Sequence, residues 1–176
     1  MTSIVTNLSI TQIKALSTAT IASLKTDDMV AMTTAQVAAL SSTQIAAIET
    51  EDFAALDSSK VSAITATSIK GLTVDQLAVL DSAKIEALKN TQIAAMSSDQ
   101  IGALDTDQAA ALTTSQVAVL NSTQLAAMSS DDLAGFSTAD IAALTTAALA
   151  GLSTDNFASL DTAQIAALKS TQVSGL

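Results

Sequence analysis

Residues 33–56 are three consecutive octapeptides, TTAQVAAL, SSTQIAAI and ETEDFAAL, and they share one pattern. In each, the fifth and eighth residues are apolar, the sixth and seventh are alanine, and the second is serine or threonine. Followed outward in both directions, the pattern fills all 176 residues as 22 octads without an insertion or deletion. So short and strict a period is typical of a repeat architecture in which stacked units share one core.

The residues accepted at each octad position predict which way its side chain faces. Positions five and eight carry large apolar residues, with Ala109 as the small exception, so they are expected to form the core. Position six accepts Lys14, Lys70 and Glu86 and is expected to reach water. Position two, nearly always serine or threonine, is expected to be half-buried. The small residues at position seven predict a close approach by neighbouring backbone.

The octad length excludes one continuous helix. At 3.6 residues per turn, eight residues advance by about 800°, so an apolar stripe would drift by about 80° per octad. The chain must therefore bend once in every octad. The first position is Ser, Thr, Asp or Asn in 17 of 22 octads and the fourth is most often Gln, the pattern of a capping box. We predict an all-α solenoid of short capped helices, one for each eight-residue repeat.

A three-sided β-solenoid, with about eight residues on each side, is the alternative architecture. The Ile, Val and Thr content suits strands. The Ala-Ala pair of the octad suits them poorly, and so does the supply of only five Gly for the corners. These propensities favour helices over strands.

A second period of 24 residues lies over the first. Acidic residues recur at position three of every third octad, and after a phase slip near residues 97–107 they resume the same spacing. About three octads are therefore expected to form one coil, within a single repeat domain over residues 1–176. We call this set of residues the acidic column: Asp27, Glu51, Asp75, Asp99, Asp107, Asp131 and Asp155.

The acidic column has two interpretations. Its carboxylates would stack along one edge of the coil, with a jog at the slipped octad, and a hard cation such as Ca²⁺ could take oxygen ligands from adjacent coils. Alternatively, the column is a solvated edge whose charges lie near helix N-termini, where negative charge is favourable. The second interpretation is favoured, because the chain has no Asp-x-Asp-x-Asp-Gly loop. We therefore predict no metal site and no cofactor.

The composition of the chain argues against several classes of function. The chain has no His and no Cys, so a Ser-His-Asp triad and thiol chemistry are unavailable, and nothing breaks the repeat to build a unique site. The seven basic residues are few beside a net charge of −10, which argues against nucleic acid and against anionic membrane surfaces. No apolar run approaches the roughly 20 residues of a membrane-spanning helix. We expect neither an enzyme nor a membrane-inserted protein.

Two octads carry a resemblance to known proteins. The stretches TTAQVAAL (33–40) and DTAQIAAL (161–168) resemble the Ala-Leu-Thr-Thr-Ala-Gln type repeats of large bacterial secreted and surface proteins. The resemblance covers the whole chain, and it implies an extracellular or surface role with no catalytic residues. The first residues lack the basic flank and apolar stretch of a cleaved signal peptide, so export is expected to use another route.

These observations predict a structural protein. The last octad, residues 169–176, keeps the full consensus and is not an atypical polar cap. Either the chain is a piece of a longer array or its ends meet other copies, and we expect each copy to meet another end to end in a filament or surface stalk. A ligand-binding module, or an ice-binding one with a flat array of threonines, is the alternative.

Overall fold

The computed structural model describes residues 3–175. Within that range the chain forms twenty α-helices of four to six residues and one 3-10 helix, and no strand. The prediction of an all-α fold with one short helix per octad is confirmed, and the β-solenoid alternative is wrong. The chain divides into two compact units, residues 1–88 and residues 89–176. The single domain over residues 1–176 stays a prediction.

Unit 1 winds with three octads to a coil, because each helix packs on the helix three octads further along. Thus α1 packs on α4, α2 on α5, α3 on α6, α4 on α7, α5 on η1, α6 on α8 and α7 on α9. The elements are α1 (Ile10–Ala15), α2 (Thr18–Ala22), α3 (Thr26–Ala31), α4 (Thr34–Ala38), α5 (Ser42–Ala46), α6 (Thr50–Ala54), α7 (Ser58–Ala63), η1 (Ile69–Gly71), α8 (Val74–Ala78) and α9 (Ser82–Ala87).

Unit 2 repeats the same winding. Three stacks of helices form its three sides: α10, α13, α16 and α19; α11, α14, α17 and α20; and α12, α15 and α18. The elements are α10 (Asn90–Ala95), α11 (Ser98–Gly102), α12 (Thr106–Ala110), α13 (Thr114–Val117), α14 (Ser122–Ala127), α15 (Ser130–Ala134), α16 (Thr138–Ala143), α17 (Thr146–Leu149), α18 (Thr154–Ala158), α19 (Thr162–Ala166) and α20 (Ser170–Val173). The prediction of about three octads per coil is confirmed in each unit.

The first position of the octad is the N-cap of each α-helix among residues 3–175, as predicted, whereas the 3-10 helix follows Ser68 at position four. In α4, the Thr33 side chain accepts a hydrogen bond from the Gln36 amide, and the Gln36 side chain accepts one from the Thr33 amide. The helix then runs for five residues. Helices this short are not stable alone in water, so their stability comes from stacking on the next coil.

The corners are made without any special backbone conformation. The residue at position eight and the residue after it are both extended, as at Met32 (φ −60°, ψ 139°) and Thr33 (φ −79°, ψ 158°). No residue between 3 and 175 has a positive φ. Two consecutive extended residues therefore turn the chain, which explains why so few glycines are needed.

The core consists of positions five and eight, as predicted. Val37, Ile45 and Phe53, all at position five, are completely buried, and even Ala109 has no exposed surface. The four methionines between residues 29 and 128 are buried with them. Position six is exposed at Lys14, Lys70 and Glu86, as expected. The prediction for position two is wrong in part, because many of these hydroxyls are exposed and others, such as Ser42, are half-buried.

Position seven lies against the backbone of the neighbouring coil, as its small residues predicted. A β-carbon added at Gly71 would overlap the carbonyl oxygen of Ser42, and one added at Gly151 would overlap that of Ser122. Both contacts join position seven to position two of the octad three repeats earlier. Glycine is required at these two positions for close approach and not for backbone conformation.

Candidate functional site

The most specialised side chains of the octad are those at position four, which lie at the corners. Gln76, Gln92 and Gln124 are only 1 % exposed. The capping pattern predicted one hydrogen bond for this residue, but burial this complete indicates further partners. Several glutamines at position four bond through their amides to another coil, and we use the name corner ladder for the following six: Gln36, Gln44, Gln76, Gln124, Gln164 and Gln172.

Gln76 illustrates the geometry of the corner ladder. Its Oε1 accepts from the Thr73 amide at 3.1 Å, which caps its own helix. Its Nε2 donates to the carbonyl oxygens of Ile45 at 2.9 Å and Ile48 at 2.7 Å, which belong to the octad four repeats earlier. One side chain therefore satisfies a helix N-terminus and a helix C-terminus and fastens a corner to the coil before it.

Lysine replaces glutamine at position four of two octads. Its ammonium group donates to a carbonyl of an earlier coil, as the glutamine amide does, but it has no oxygen to accept a hydrogen bond from its own helix. The Lys60 ammonium donates to the Val30 carbonyl at 2.7 Å, and the Lys84 ammonium donates to the Ala54 carbonyl at 2.8 Å. In both octads position one is aspartate: Asp57 lies 3.2 Å from Lys60, and Asp81 lies 3.7 Å from Lys84. The carboxylate caps the helix and partly neutralises a lysine that would otherwise be an unpaired charge near the core.

Aspartate at position four accepts hydrogen bonds but, being ionised, cannot donate one to an earlier coil. It accepts a hydroxyl hydrogen bond from position two of the octad three repeats earlier. Thr26 donates to Asp52 at 2.7 Å, Thr106 donates to Asp132 at 3.2 Å, and Thr114 donates to Asp140 at 2.7 Å. Position four is thus a point of contact between coils whether glutamine, lysine or aspartate occupies it in an interior coil, and among residues 3–175 no buried polar side-chain atom lacks a partner.

Two carboxylates of unit 1 have a lowered pKa. At Asp28, burial opposes the charged form, but hydrogen bonds from the Lys25 amide, the Ser3 hydroxyl and the Ile4 amide outweigh it and lower the pKa. At Asp57, hydrogen bonds from the Ser59 hydroxyl and the Lys60 amide lower the pKa to about 2. Both groups are ionised caps of their octads, and neither is poised for proton transfer near neutral pH.

Replacing Ser59 with alanine is expected to raise the pKa of Asp57 from about 2 toward 3.8. Because the folded state favours the charged carboxylate, its stabilising contribution is complete above about pH 3.8 and is lost as the pH falls to about 2. An NMR titration of the Asp57 carboxyl carbon measures this midpoint. The neighbouring Ser58→Ala variant is the control, and a midpoint unaffected by Ser59→Ala would show that the hydroxyl is not the cause.

The structure places all seven residues of the acidic column in the first turn of a helix, with exposed side chains. In unit 1, Asp27, Glu51 and Asp75 lie on one stack, formed by α3, α6 and α8. In unit 2, Asp99 on α11 belongs to a different stack from the residues on α12, α15 and α18: Asp107, Asp131 and Asp155. Helix dipoles favour carboxylates at these places without any ligand.

No three potential ligands among His, Cys, Asp and Glu converge on a common point within the described part of the chain. Two concave surfaces of the described residues are of interest. In unit 1, an open groove of about 550 Å³ has alanines and Ile48 along its floor and hydroxyls and two carboxylates, Glu49 and Asp75, at its rim. In unit 2, a cavity of about 250 Å³ is lined by Leu152, Ser153, Thr154 and Phe157.

The first and last coils expose groups that interior coils bury. Val173 is 56 % exposed and Ile165 is 38 % exposed, whereas Ile13 and Ile141, at the same octad position, are completely buried. Gln12 has the capping bond to Ser9 at 2.9 Å, but it is exposed, and no carbonyl between residues 3 and 175 accepts from its Nε2. Sequence reasoning named none of these groups, because exposure at an end depends on the direction in which side chains point along the stack.

Comparison with known families agrees with the geometry. The ALTTAQ repeat model matches five overlapping or adjacent stretches, residues 5–42, 45–82, 77–114, 125–162 and 133–170, which together cover most of the chain. The chain belongs to the ALTTAQ repeat family. No curated protein is significantly similar to it. The ALTTAQ match confirms the resemblance of the octads, and the structure adds that the glutamine of each repeat connects two coils. No helix among residues 3–175 is long and apolar enough to span a membrane.

Proposed function

We propose that this ALTTAQ repeat protein is a non-catalytic structural subunit that assembles with itself, end to end, into an extracellular filament or surface stalk. The observation that carries the proposal is the complementarity of the first and last coils. The last coil presents apolar position-five side chains and carbonyl groups, and the first coil presents the free amide of Gln12. Inside each unit, glutamine amides meet carbonyl groups of an earlier coil in the same way, as at Gln44 in unit 1 and Gln172 in unit 2.

The interior contacts give the reason to expect association. Each interior octad buries two large apolar side chains, and burying one such side chain contributes about 1.5–3 kcal/mol. Ile165 and Val173 would gain part of this on contact with a second copy. A contact that joins two different surfaces does not close on itself with a two-fold axis, so it continues as a filament unless the copies form a ring. The extracellular location is supported by the resemblance of the octads to segments of large bacterial secreted and surface proteins.

A ligand-binding module is the second candidate function, and the groove of unit 1 favours it. The groove offers hydroxyls and the carboxylates of Glu49 and Asp75 around an apolar floor. An ice-binding face is less well supported. On the stack of α14, α17 and α20, position three carries Thr123, Ala147 and Thr171, so the hydroxyl array is interrupted.

Sedimentation velocity and negative-stain electron microscopy at several protein concentrations test the assembly. We expect species larger than 17.7 kDa that lengthen as the concentration rises. Val173→Asp places a charge on the exposed face of the last coil and is expected to leave mostly monomer. Val30→Asp is the matched control, because the Val30 side chain is also 56 % exposed, and the one contact of this residue with another coil, from the Lys60 ammonium, is made by its backbone carbonyl. A wild-type protein that stays monomeric at all concentrations would overturn the proposal.

A further inference from the structure

Two rules describe how any coil sits on the one before it. First, the amide of a position-four glutamine lies over the carbonyls of positions five and eight, four octads earlier. Gln44 bonds in this way to Ile13 at 3.0 Å and Leu16 at 2.8 Å. Second, position four lies beside position two of the octad three repeats earlier, as in the bonds from Thr26 to Asp52 and from Thr114 to Asp140, both 2.7 Å. These rules hold in unit 1 and unit 2.

Within residues 3–175, the last coil of unit 2 has corners of this kind that no residue covers. The cavity beside Leu152 and Phe157 is the place that the two rules assign to a position-four side chain stacked on residues 153–160. In unit 1 the corresponding corner, next to Ile48 and Phe53, is filled by Gln76. The next corner offers the carbonyls of Phe157 and Leu160.

The first coil of unit 1 presents the side chains that could fill these corners. Its position-four residues are Ile4, Gln12 and Thr20. Ile4 is aliphatic and 58 % exposed, which suits the side of the cavity formed by Leu152 and Phe157, and unlike Gln76 at the corresponding corner of unit 1 it supplies no hydrogen bond. Gln12 has a free Nε2, which suits a pair of carbonyls. The order of these residues along the first coil therefore matches the order of the open corners on the last coil.

We propose that Ile4 of one copy fills the cavity beside Leu152 and Phe157 of the preceding copy, while Gln12 donates to the carbonyls of Phe157 and Leu160. This inference rests on the proposed end-to-end assembly and specifies its register. Stacking the incoming first octad one octad earlier is blocked, because α17 is already covered by α20. Stacking it one or two octads later leaves Leu152 and Phe157 at this open depression in contact with water, so the apolar surface that Ile4 would cover there is not buried.

Disulfide trapping between copies tests the register, because the chain has no cysteine of its own. A protein carrying Ile4→Cys is mixed with a second protein carrying Thr154→Cys, at position two of the octad below the cavity. Under mild oxidation we expect this mixture to give a cross-linked heterodimer. Mixtures of Ile4→Cys with Thr162→Cys or with Ser170→Cys test the two later registers, and neither is expected to cross-link.

A second variant tests the role of Gln12. Gln12→Glu keeps the oxygen that accepts from Ser9 but loses the donating amide, so the monomer is expected to keep its thermal midpoint. Loss of two hydrogen bonds of about 1 kcal/mol each weakens association roughly thirtyfold. Thr11→Ala, in the same exposed helix, is the control and is expected to associate like the wild type.

The outcomes separate this inference from the proposed function. Cross-linking through Thr154 alone, with weaker association of Gln12→Glu, supports the register. Assembly that cross-links through Thr162 or Ser170, or that is unaffected by Gln12→Glu, overturns the register and leaves end-to-end assembly standing. A wild-type protein that sediments only as a monomer overturns both.

Discussion

Replacing Gln76 with leucine is expected to lower the free energy of unfolding by about 3 kcal/mol. Leucine has a similar volume, but it leaves the Thr73 amide and the carbonyls of Ile45 and Ile48 without the hydrogen bonds that Gln76 supplies. Since Gln76 is only 1 % exposed, water cannot easily reach these groups to supply the missing hydrogen bonds. Equilibrium unfolding in urea, followed by far-UV circular dichroism, measures the loss.

Gln12→Leu is the matched control for this prediction. Gln12 occupies the same octad position and forms the same capping box with Ser9, but its amide has no partner in another coil. Replacing it is expected to lower the free energy of unfolding by less than about 1 kcal/mol, which is the typical contribution of one helix-capping interaction. Equal losses from Gln12→Leu and Gln76→Leu would contradict the role assigned to the corner ladder.

Replacing Gly151 with alanine is expected to lower the free energy of unfolding by about 3 kcal/mol. The new β-carbon would overlap the backbone carbonyl of Ser122, and backbone cannot move aside as the end of a long side chain can. The two coils would have to separate locally, which also weakens the apolar contacts around them. Thermal unfolding by calorimetry measures the change.

Gly135 provides the comparison, since it also occupies position seven in unit 2. A β-carbon there would lie 3.3 Å from the backbone carbonyl oxygen of Asp132, in the same helix, and 3.7 Å from the β-carbon of Ala110. Only a small shift of these atoms is needed to fit it. Alanine also restricts the unfolded chain more than glycine does, which offsets the adjustment. We expect Gly135→Ala to be nearly neutral. If Gly151→Ala is equally neutral, the close approach of coils at position seven is not as the structure describes it.

Much of the fold followed from the octad alone. The hydroxyl or carboxylate at position one and the glutamine at position four predicted the start of each helix, and Thr33 with Gln36 forms that capping box. The alternation of position-three residues every 24 residues predicted three octads per coil. These features could be predicted because helix capping depends on residues close together in sequence, and burial repeats with the period of the octad. Both therefore appear as a regular pattern of residue types.

The second function of position four was not predicted, for a physical reason. A capping box accounts for the oxygen of Gln76, so the pattern leaves no unexplained signal for its nitrogen, whose partners lie 28 and 31 residues away. A clue existed in the octads that carry lysine at position four. Both Lys60 and Lys84 follow an aspartate at position one, which indicates that the position-four cation is held close to the core.

The stacking of the acidic column within each unit, with a jog at the slipped octad, followed from its sequence period. Position three is exposed in every octad of the set, so its residues are constrained by solubility and by helix dipoles more than by packing. The phase slip separates Asp99 from Asp107 by one octad, which places them on different stacks of unit 2. The number of octads per coil decides which carboxylates lie on one stack, and the 24-residue period predicted that number.

The reach of the corner ladder has a mechanical consequence. Its bonds join residues 28 or 31 apart, so each octad depends on the coil before it and on no distant part of the sequence. Under tension, one octad can detach after its own few bonds break, while the octads behind it stay folded. Each detachment releases about 26–29 Å of extended chain. A pulled chain would therefore lengthen in steps of one octad, and each step would dissipate part of the mechanical work of pulling.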